Sequence, residues 1–405
     1  MKEVFKAIED SRELIIEIQK ELTARPAISP ENGGDGEYEK AMYIKEILKE
    51  LKPDILDEIK VADKRVSSGY RPNIIARWKY DPSRPTLWII VHSDIVPPGD
   101  LSLWDGDPYR IKVEGDKIIG RGVEDNQHAF VSAYIAIKAV LEKGRMNIPV
   151  AVAVVADEET GSRYGLKYIL EKCDLFKKDD LIIVPDGGNQ EGTMIEVAEK
   201  SMLWLKFEVL GVQCHASTPE KGKNSLYGVA RLIIELQKLK DVFSKEDPLF
   251  SPPFSTFEPT KIEANVENIN TIPGRDVFYM DCRILPSYRV DDVIDEVKKI
   301  AERVEKELNL KIDVSQVYRL DAPAPTPSDS EIVKILSEAI EKVKGKKAFP
   351  RGIGGGTVAA FFREKGIPAV VWSTVSDTAH KPNEYCLISN IIDDAKVFAY
   401  IMQVC

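Results

Sequence analysis

Four short, almost unbroken apolar runs constrain the fold of this chain more than anything else in it. They lie at 87–91 (LWIIV), 149–155 (PVAVAVV), 181–184 (LIIV) and 369–373 (AVVWS). Each is too short for an ordinary buried helix. None alternates apolar with polar, as a strand with one wet face would. Such runs read as strands covered on both faces, the pattern of a parallel sheet. Segments with helical periodicity lie between and around them, at 126–143, 165–172 and 330–344, the last stopped by Gly345. Two amphipathic helices open the chain, near 2–24 and 37–51. A further strand reads at 73–80, and a hairpin at 109–120 turns at Glu114-Gly115-Asp116. Strand–helix alternation of this kind predicts an α/β fold with a mostly parallel sheet.

The middle of the chain has another rhythm. Residues 203–212 alternate like a strand, and 224–241 have helical spacing. Strands read at 261–267 and 277–285, followed by a charged amphipathic helix at 290–308 and a strand at 311–318. The order β-α-β-β-α-β is ferredoxin-like. A proline-rich stretch, Asp321-Ala-Pro-Ala-Pro-Thr-Pro, closes it. With 405 residues the chain exceeds one ordinary core. The expected organisation is a larger α/β domain in two parts, 1–199 and 319–405, with an α+β domain inserted at 200–318.

The formal net charge is −10, which disfavours nucleic acid and anionic membrane surfaces and suits metal cations. No apolar run reaches the roughly 18 residues of a membrane span. Residues 1–24 lack the apolar centre of a signal peptide, so a cytoplasmic protein is expected. The five cysteines (173, 214, 282, 386 and 405) are scattered, without a C-x-x-C pair, and read as mostly reduced and buried.

Each of the four apolar runs is followed by residues that bind metals. His92 and Asp94 follow the first, and Asp94 could hold the ring nitrogen that His92 does not give to a metal. Asp157-Glu158-Glu159 follows the second. Three adjacent acids repel unless a cation offsets them, and one ligand with one general base accounts for the pair of glutamates. Asp186, in Pro185-Asp186-Gly187-Gly188, follows the third, and His380 follows the fourth. Between the first two runs, Gly120-Arg-Gly-Val-Glu-Asp125 opens a helix. There Asp125 could be a helix cap or a carboxylate bridging two ions. Taken singly, each is an ordinary turn, cap or loop residue. Ligands gather beyond the carboxyl ends of parallel strands, so neighbouring strands would bring all these residues to one edge.

The ordered set His92-Ser-Asp94, Trp104-Asp-Gly-Asp-Pro108, Gly-Arg-Gly-Val-Glu-Asp125, Asp-Glu158-Glu159-Thr-Gly-Ser, Asp186 and His380 resembles the co-catalytic zinc family. That family includes acetylornithine deacetylase, succinyl-diaminopimelate desuccinylase, carboxypeptidase G, aminoacylase and carnosinase. The resemblance runs along nearly the whole chain. It implies a dimeric two-metal amide hydrolase in which the inserted domain serves as dimerisation and lid domain. Asp125 would bridge both metals, with His92 and Asp186 on one and Glu159 and His380 on the other. Glu158 would be the general base, and Asp94 would orient His92. The Asp125–Asn126 peptide would be cis. His215, in Gly211-Val-Gln-Cys-His-Ala-Ser-Thr-Pro219, would act across the dimer interface on the tetrahedral intermediate. Asn270, Arg283 and the loop Gly354, Gly355, Gly356 and Thr357 would contact substrate. Two zinc ions are expected, with cobalt or manganese as substitutes.

The chain departs from the family pattern after Asp125, where Asn126-Gln127-His128-Ala129 replaces the usual Met-Lys-Gly-Gly. With the ligand set already full, His128 is expected behind the ligands or in the pocket. Val358 stands where many relatives carry Asp. In the family that the chain resembles, Asp rather than Glu at position 186 goes with dipeptidases and aminopeptidases, so the resemblance implies action on small peptides ahead of N-acyl amino acids. The alternatives are a deacylase of the desuccinylase or acetylornithine type, and a non-catalytic metal-stabilised dimeric binding protein. An intact Glu158 argues against the last.

Overall fold

The computed structural model describes residues 1–405. They form two compact units: Met1–Val197 with Thr326–Arg351 and Thr357–Cys405, and Ala198–Pro325 with Gly352–Gly356.

The first unit is built on an eight-stranded sheet. Its strand order is Ile55–Ala62, Tyr70–Trp78, Val150–Val155, Leu87–His92, Leu181–Asn189, Ala369–Thr374, Met194–Glu199 and Phe349–Ile353. The four strands carrying the apolar runs are adjacent and mutually parallel. Strands Ile55–Ala62 and Tyr70–Trp78 on one side, and Met194–Glu199 on the other, are antiparallel to their inner neighbours. Every residue of Leu87–His92 and Val150–Val155 is buried, which is why neither run alternates. One set of alternate residues (Trp88, Ile90, Ala151, Ala153, Ile182, Val184) packs with Leu166, Ile169 and Phe362. Helix His128–Lys143 is buried over most of its length and packs against the C-terminal helix Ile388–Val404.

Several elements differ from expectation for local reasons. The opening helix is two, Lys2–Glu9 and Arg12–Thr23. The break falls at Asp10-Ser11, where Ser11 Oγ donates back to the Ala7 carbonyl at 2.7 Å and competes with the helical ladder. The helix expected from 126 begins at His128, because Asp125 and Asn126 have non-helical dihedrals; the Asp125–Asn126 peptide is cis. The hairpin turns as expected, between Lys112–Glu114 and Lys117–Ile119.

The second unit carries a four-stranded antiparallel sheet in the order Thr256–Ile262, Arg275–Ile284, Ser201–Leu210, Lys311–Leu320. Leu203, Leu205, Phe207 and Val209 face a core shared with helices Ser225–Leu236 and Val290–Leu308. The strand expected at 261–267 lies earlier, at Thr256–Ile262. Pro259 is tolerated there because the strand is at the sheet edge, with a bulge between Pro259 and Lys261. The five cysteines are unpaired, but only Cys282 and Cys386 are buried as expected; Cys173, Cys214 and Cys405 are half-buried because they lie at helix ends or on a two-residue strand. No helix is long and apolar enough to cross a membrane.

Candidate metal centre

The parallel register places the chemistry at one sheet edge, within the first unit. His92 is the last residue of its strand, and Asp186 lies within the exit of Leu181–Asn189. Glu158 and Glu159 occupy a tight turn after Val150–Val155, entered and left by residues of left-handed conformation, Asp157 (φ 63°) and Gly161 (φ 105°). His380 follows Ala369–Thr374 and also has positive φ, 65°.

Asp125 stands at the centre, and its two oxygens face different histidines. Oδ1 lies 2.9 Å from His92 Nε2, and Oδ2 lies 3.0 Å from His380 Nε2. His92 Nε2 is also 3.3 Å from Asp186 Oδ1, and His380 Nε2 is 3.2 Å from Glu159. Two donor sets therefore share one carboxylate: His92, Asp125 and Asp186, and His380, Asp125 and Glu159. These donor–donor separations suit a common ion. With metal–ligand bonds of roughly 2.0–2.1 Å, the edge of a coordination tetrahedron is about 3.3 Å. Ligand atoms of His92, Asp125 and Glu159, and of His92, Glu158 and Asp186, also fall within 4.8 Å of one another. Glu158 is the only one of these acids whose carboxylate makes no hydrogen bond or ion pair with the protein.

The electrostatics fit cations. Burial pushes Glu158 well above the usual carboxylate range, and the Asp186 charge adds to it. Burial also raises Glu159 and Asp186, with His380 and His92 opposing. At Asp125 burial works upward too, but hydrogen bonds from His380 and His92 outweigh it and hold the group low. Hydrogen bonds to Asp125 and Glu159 raise His380 to about 10. The field that draws protons onto these histidines is one that a metal ion would satisfy instead.

A buried scaffold holds the donors. The carbonyl of Asp94 lies 3.1 Å from His92 Nδ1, closer than its carboxylate at 3.5 Å. The orienting contact expected of the Asp94 side chain is thus shared with its backbone. The carboxylate accepts the N–H groups of Glu158 and Glu159, each at 3.0 Å. Asn126 Nδ2 donates to Asp186 Oδ1 and to the Pro185 carbonyl, both at 2.8 Å. Glu384 accepts the N–H groups of Glu124 (2.9 Å) and Asp125 (3.1 Å) and pairs with Arg121 at 2.5 Å. Glu37 pairs with buried Arg71 and accepts the Asp157 N–H at 3.2 Å. Sequence reasoning assigned no role to Asn126, Glu384, Arg121, Glu37 or Arg71. Their partners are distant in the chain, and no local spacing marks them.

The remaining expected residues are spread over both units. His128 is buried in the first unit, and neither ring nitrogen has a hydrogen-bond partner. Thr357 is also in the first unit, whereas Gly354, Gly355 and Gly356 belong to the second. His215 is exposed in the second unit, on a two-residue strand paired with Thr271–Ile272, its Nδ1 2.7 Å from Ser217 Oγ. The Asn270 carbonyl accepts the Ala216 N–H at 2.8 Å. Arg283 donates twice to Asp281, at 2.7 and 3.0 Å, and once to the Gly354 carbonyl at 2.8 Å. Two of its five N–H groups are left for another partner.

Known proteins resemble this chain in sequence and in fold. An uncharacterized metallohydrolase of Methanococcus maripaludis is 40% identical over 417 residues, covering 96% of this chain and 98% of the relative. A succinyl-diaminopimelate desuccinylase of Pelagibacter ubique is 26% identical over 395 residues, covering 96% and 98%. Human carnosine dipeptidase 1 has a similar fold, with TM-score 0.74 at 19% identity over 99% of this chain and 98% of the other. Residues 88–404 match the model of peptidase family M20/M25/M40, a span that includes all the donors described above. The chain therefore belongs to peptidase family M20/M25/M40 and is a metal-dependent hydrolase.

Proposed function

We propose that this protein is a two-metal amide hydrolase acting on small peptides or N-acyl amino acids, as a cytoplasmic homodimer with zinc as the native metal. The observation that carries the two-metal reading is Asp125, whose oxygens face two separate histidine–carboxylate sets. His92 and Asp186 would hold one ion, Glu159 and His380 the other, with Asp125 shared. Metals bound there supply Lewis acidity and a lowered pKa for water. Glu158 is the proton carrier: its carboxylate has no protein partner and burial raises its affinity for a proton. It takes a proton from the attacking water and gives it to the leaving nitrogen. Asp94 holds His92 and the Glu158-Glu159 turn in place. His215, supplied by the other copy of the dimer, is proposed to stabilise the oxyanion, and Asn270, Arg283 and the loop at 354–357 to contact substrate.

The test is hydrolysis of a panel of dipeptides and N-acyl amino acids, N-succinyl-diaminopimelate and N-acetylornithine included, by zinc- or cobalt-loaded protein. Glu158→Ala should bind both metals in a calorimetric titration while losing at least about 100-fold in turnover. Near-normal turnover in that variant would remove Glu158 as the base.

A further inference from the structure

At the end of the parallel strands opposite the donors, and wholly within the first unit, lies a cavity that the metal centre does not use. Thr86, on its wall, leads directly into strand Leu87–His92. The length of that strand, about 20 Å at roughly 3.3 Å per residue, separates the cavity from His92. Its other walls come from the turn after strand Tyr70–Trp78 and from the segment joining helix Leu166–Lys172 to strand Leu181–Asn189.

The sign of a ligand is Arg77. It lines the cavity with only 9% of the residue exposed. Its guanidinium makes no hydrogen bond or ion pair with the protein, and Nε is buried without a partner. The guanidinium carbon lies 5.2 Å from the centre of the Tyr80 ring and 5.1 Å from that of Trp88. Those rings attract a cation but offer its N–H groups no oxygen. Trp88 is itself fixed, because its Nε1 donates to buried Asp180 at 2.9 Å. A guanidinium carries five N–H donors, and leaving them bare in the interior is costly, so Arg77 calls for an acceptor from outside the chain.

The surrounding charges define that acceptor. Lys177 donates its ammonium to the Pro82 and Arg84 carbonyls and lies 4.0 Å from Asp180. Asp81 accepts the backbone N–H and the hydroxyl of Ser83, at 2.9 and 2.7 Å. Asp174 is exposed on the wall and has no partner in the protein. One uncommitted cation and one uncommitted anion thus line the same space without pairing to each other. A phosphate dianion would be repelled by Asp81 and Asp174, and a simple carboxylate would leave Asp174 unmatched. Half-buried Leu175 and Phe176 add apolar surface.

We propose that this cavity binds a free α-amino acid. The carboxylate takes the fork of Arg77, the ammonium faces Asp174, and an apolar side chain lies against Leu175 and Phe176. The proposal concerns binding and stands whether or not the metal centre hydrolyses amides.

The experiment is a calorimetric titration of the metal-loaded chain with L-leucine, isocaproate (leucine without its amine) and isoamylamine (leucine without its carboxylate). L-leucine should bind at least about tenfold more tightly than either. Arg77→Gln should weaken leucine binding at least about tenfold. Asp174→Asn should bring leucine several-fold closer to isocaproate, and its exposed position keeps the test decisive if Arg77→Gln fails to fold. Leucine held at the metal centre instead would be indifferent to both substitutions, and that result would overturn the site. So would an absence of binding up to about 10 mM, or isocaproate binding as tightly as leucine.

Discussion

Asp94 serves two neighbours at once. Its carbonyl lies against His92 Nδ1, and its carboxylate accepts the N–H groups of Glu158 and Glu159. Removing that carboxylate frees the turn carrying one proposed ligand and the proposed base. We expect Asp94→Ala to lower metal affinity about 10- to 100-fold in a calorimetric titration, with the fold intact by circular dichroism. An unchanged affinity would confine Asp94 to a packing role. The sequence pointed to Asp94 as a companion of His92 because a single residue separates them. It held no sign of the clamp on the glutamates, which exists only once two strands lie side by side. From the residues alone the two glutamates were equivalent, and only the family resemblance made Glu158 the base and Glu159 a ligand. In the structure Glu159 faces His380, and the Glu158 carboxylate has no protein partner.

At the scale of elements, the site depends on how strand Leu181–Asn189 leaves the sheet. Gly188 opposes Ser373 in the parallel register, next to an irregularity between Val371 and Ser373. Its φ is +153°, and a Cβ there would lie 2.0 Å from the Ser373 carbonyl oxygen, a backbone atom that cannot rotate away. Gly188→Ala should therefore push apart the strands leading to Asp186 and His380. A loss of about 1–3 kcal/mol in denaturant unfolding is expected, together with weaker metal binding. Unchanged stability would mean that the strand exit adapts freely. From the sequence Gly187-Gly188 looked like a plain turn after Asp186. The four inner strands were legible because burial on both faces leaves unbroken apolar runs. The strand Ile55–Ala62 was not, because its mixed polar sequence reflects a sheet edge with only one buried residue, Val61.

For the whole molecule, the donor cluster is a liability without cations. Four carboxylates (Asp125, Glu158, Glu159 and Asp186) crowd two histidines, and burial raises Glu158, Glu159 and Asp186 towards protonation. Ions that bind the folded state and not the unfolded chain add stability by mass action, about 2.7 kcal/mol at a hundredfold excess over Kd. In thermal unfolding, metal should raise the midpoint of the transition involving the first unit by roughly 5–10 °C over chelated protein. Because the second unit has its own core, from Leu203 to Ile312, any transition it shows separately should not move with metal. A midpoint insensitive to metal would contradict the cluster as an ion site.

By itself, the sequence determined the α/β character, the β-α-β-β-α-β order of the middle segment and the residue types gathered at the candidate metal centre. Those features are written locally, in the period of apolar residues and in short motifs at strand ends. The family resemblance had already grouped the donors around Asp125; only the tertiary structure gave the distances between them and the buried ion pairs that hold the turns. It also showed that His128, expected behind the ligands or in the pocket, is buried with neither ring nitrogen partnered. These depend on distances between residues far apart in the chain. Strand order and register set those distances, and no local pattern encodes them.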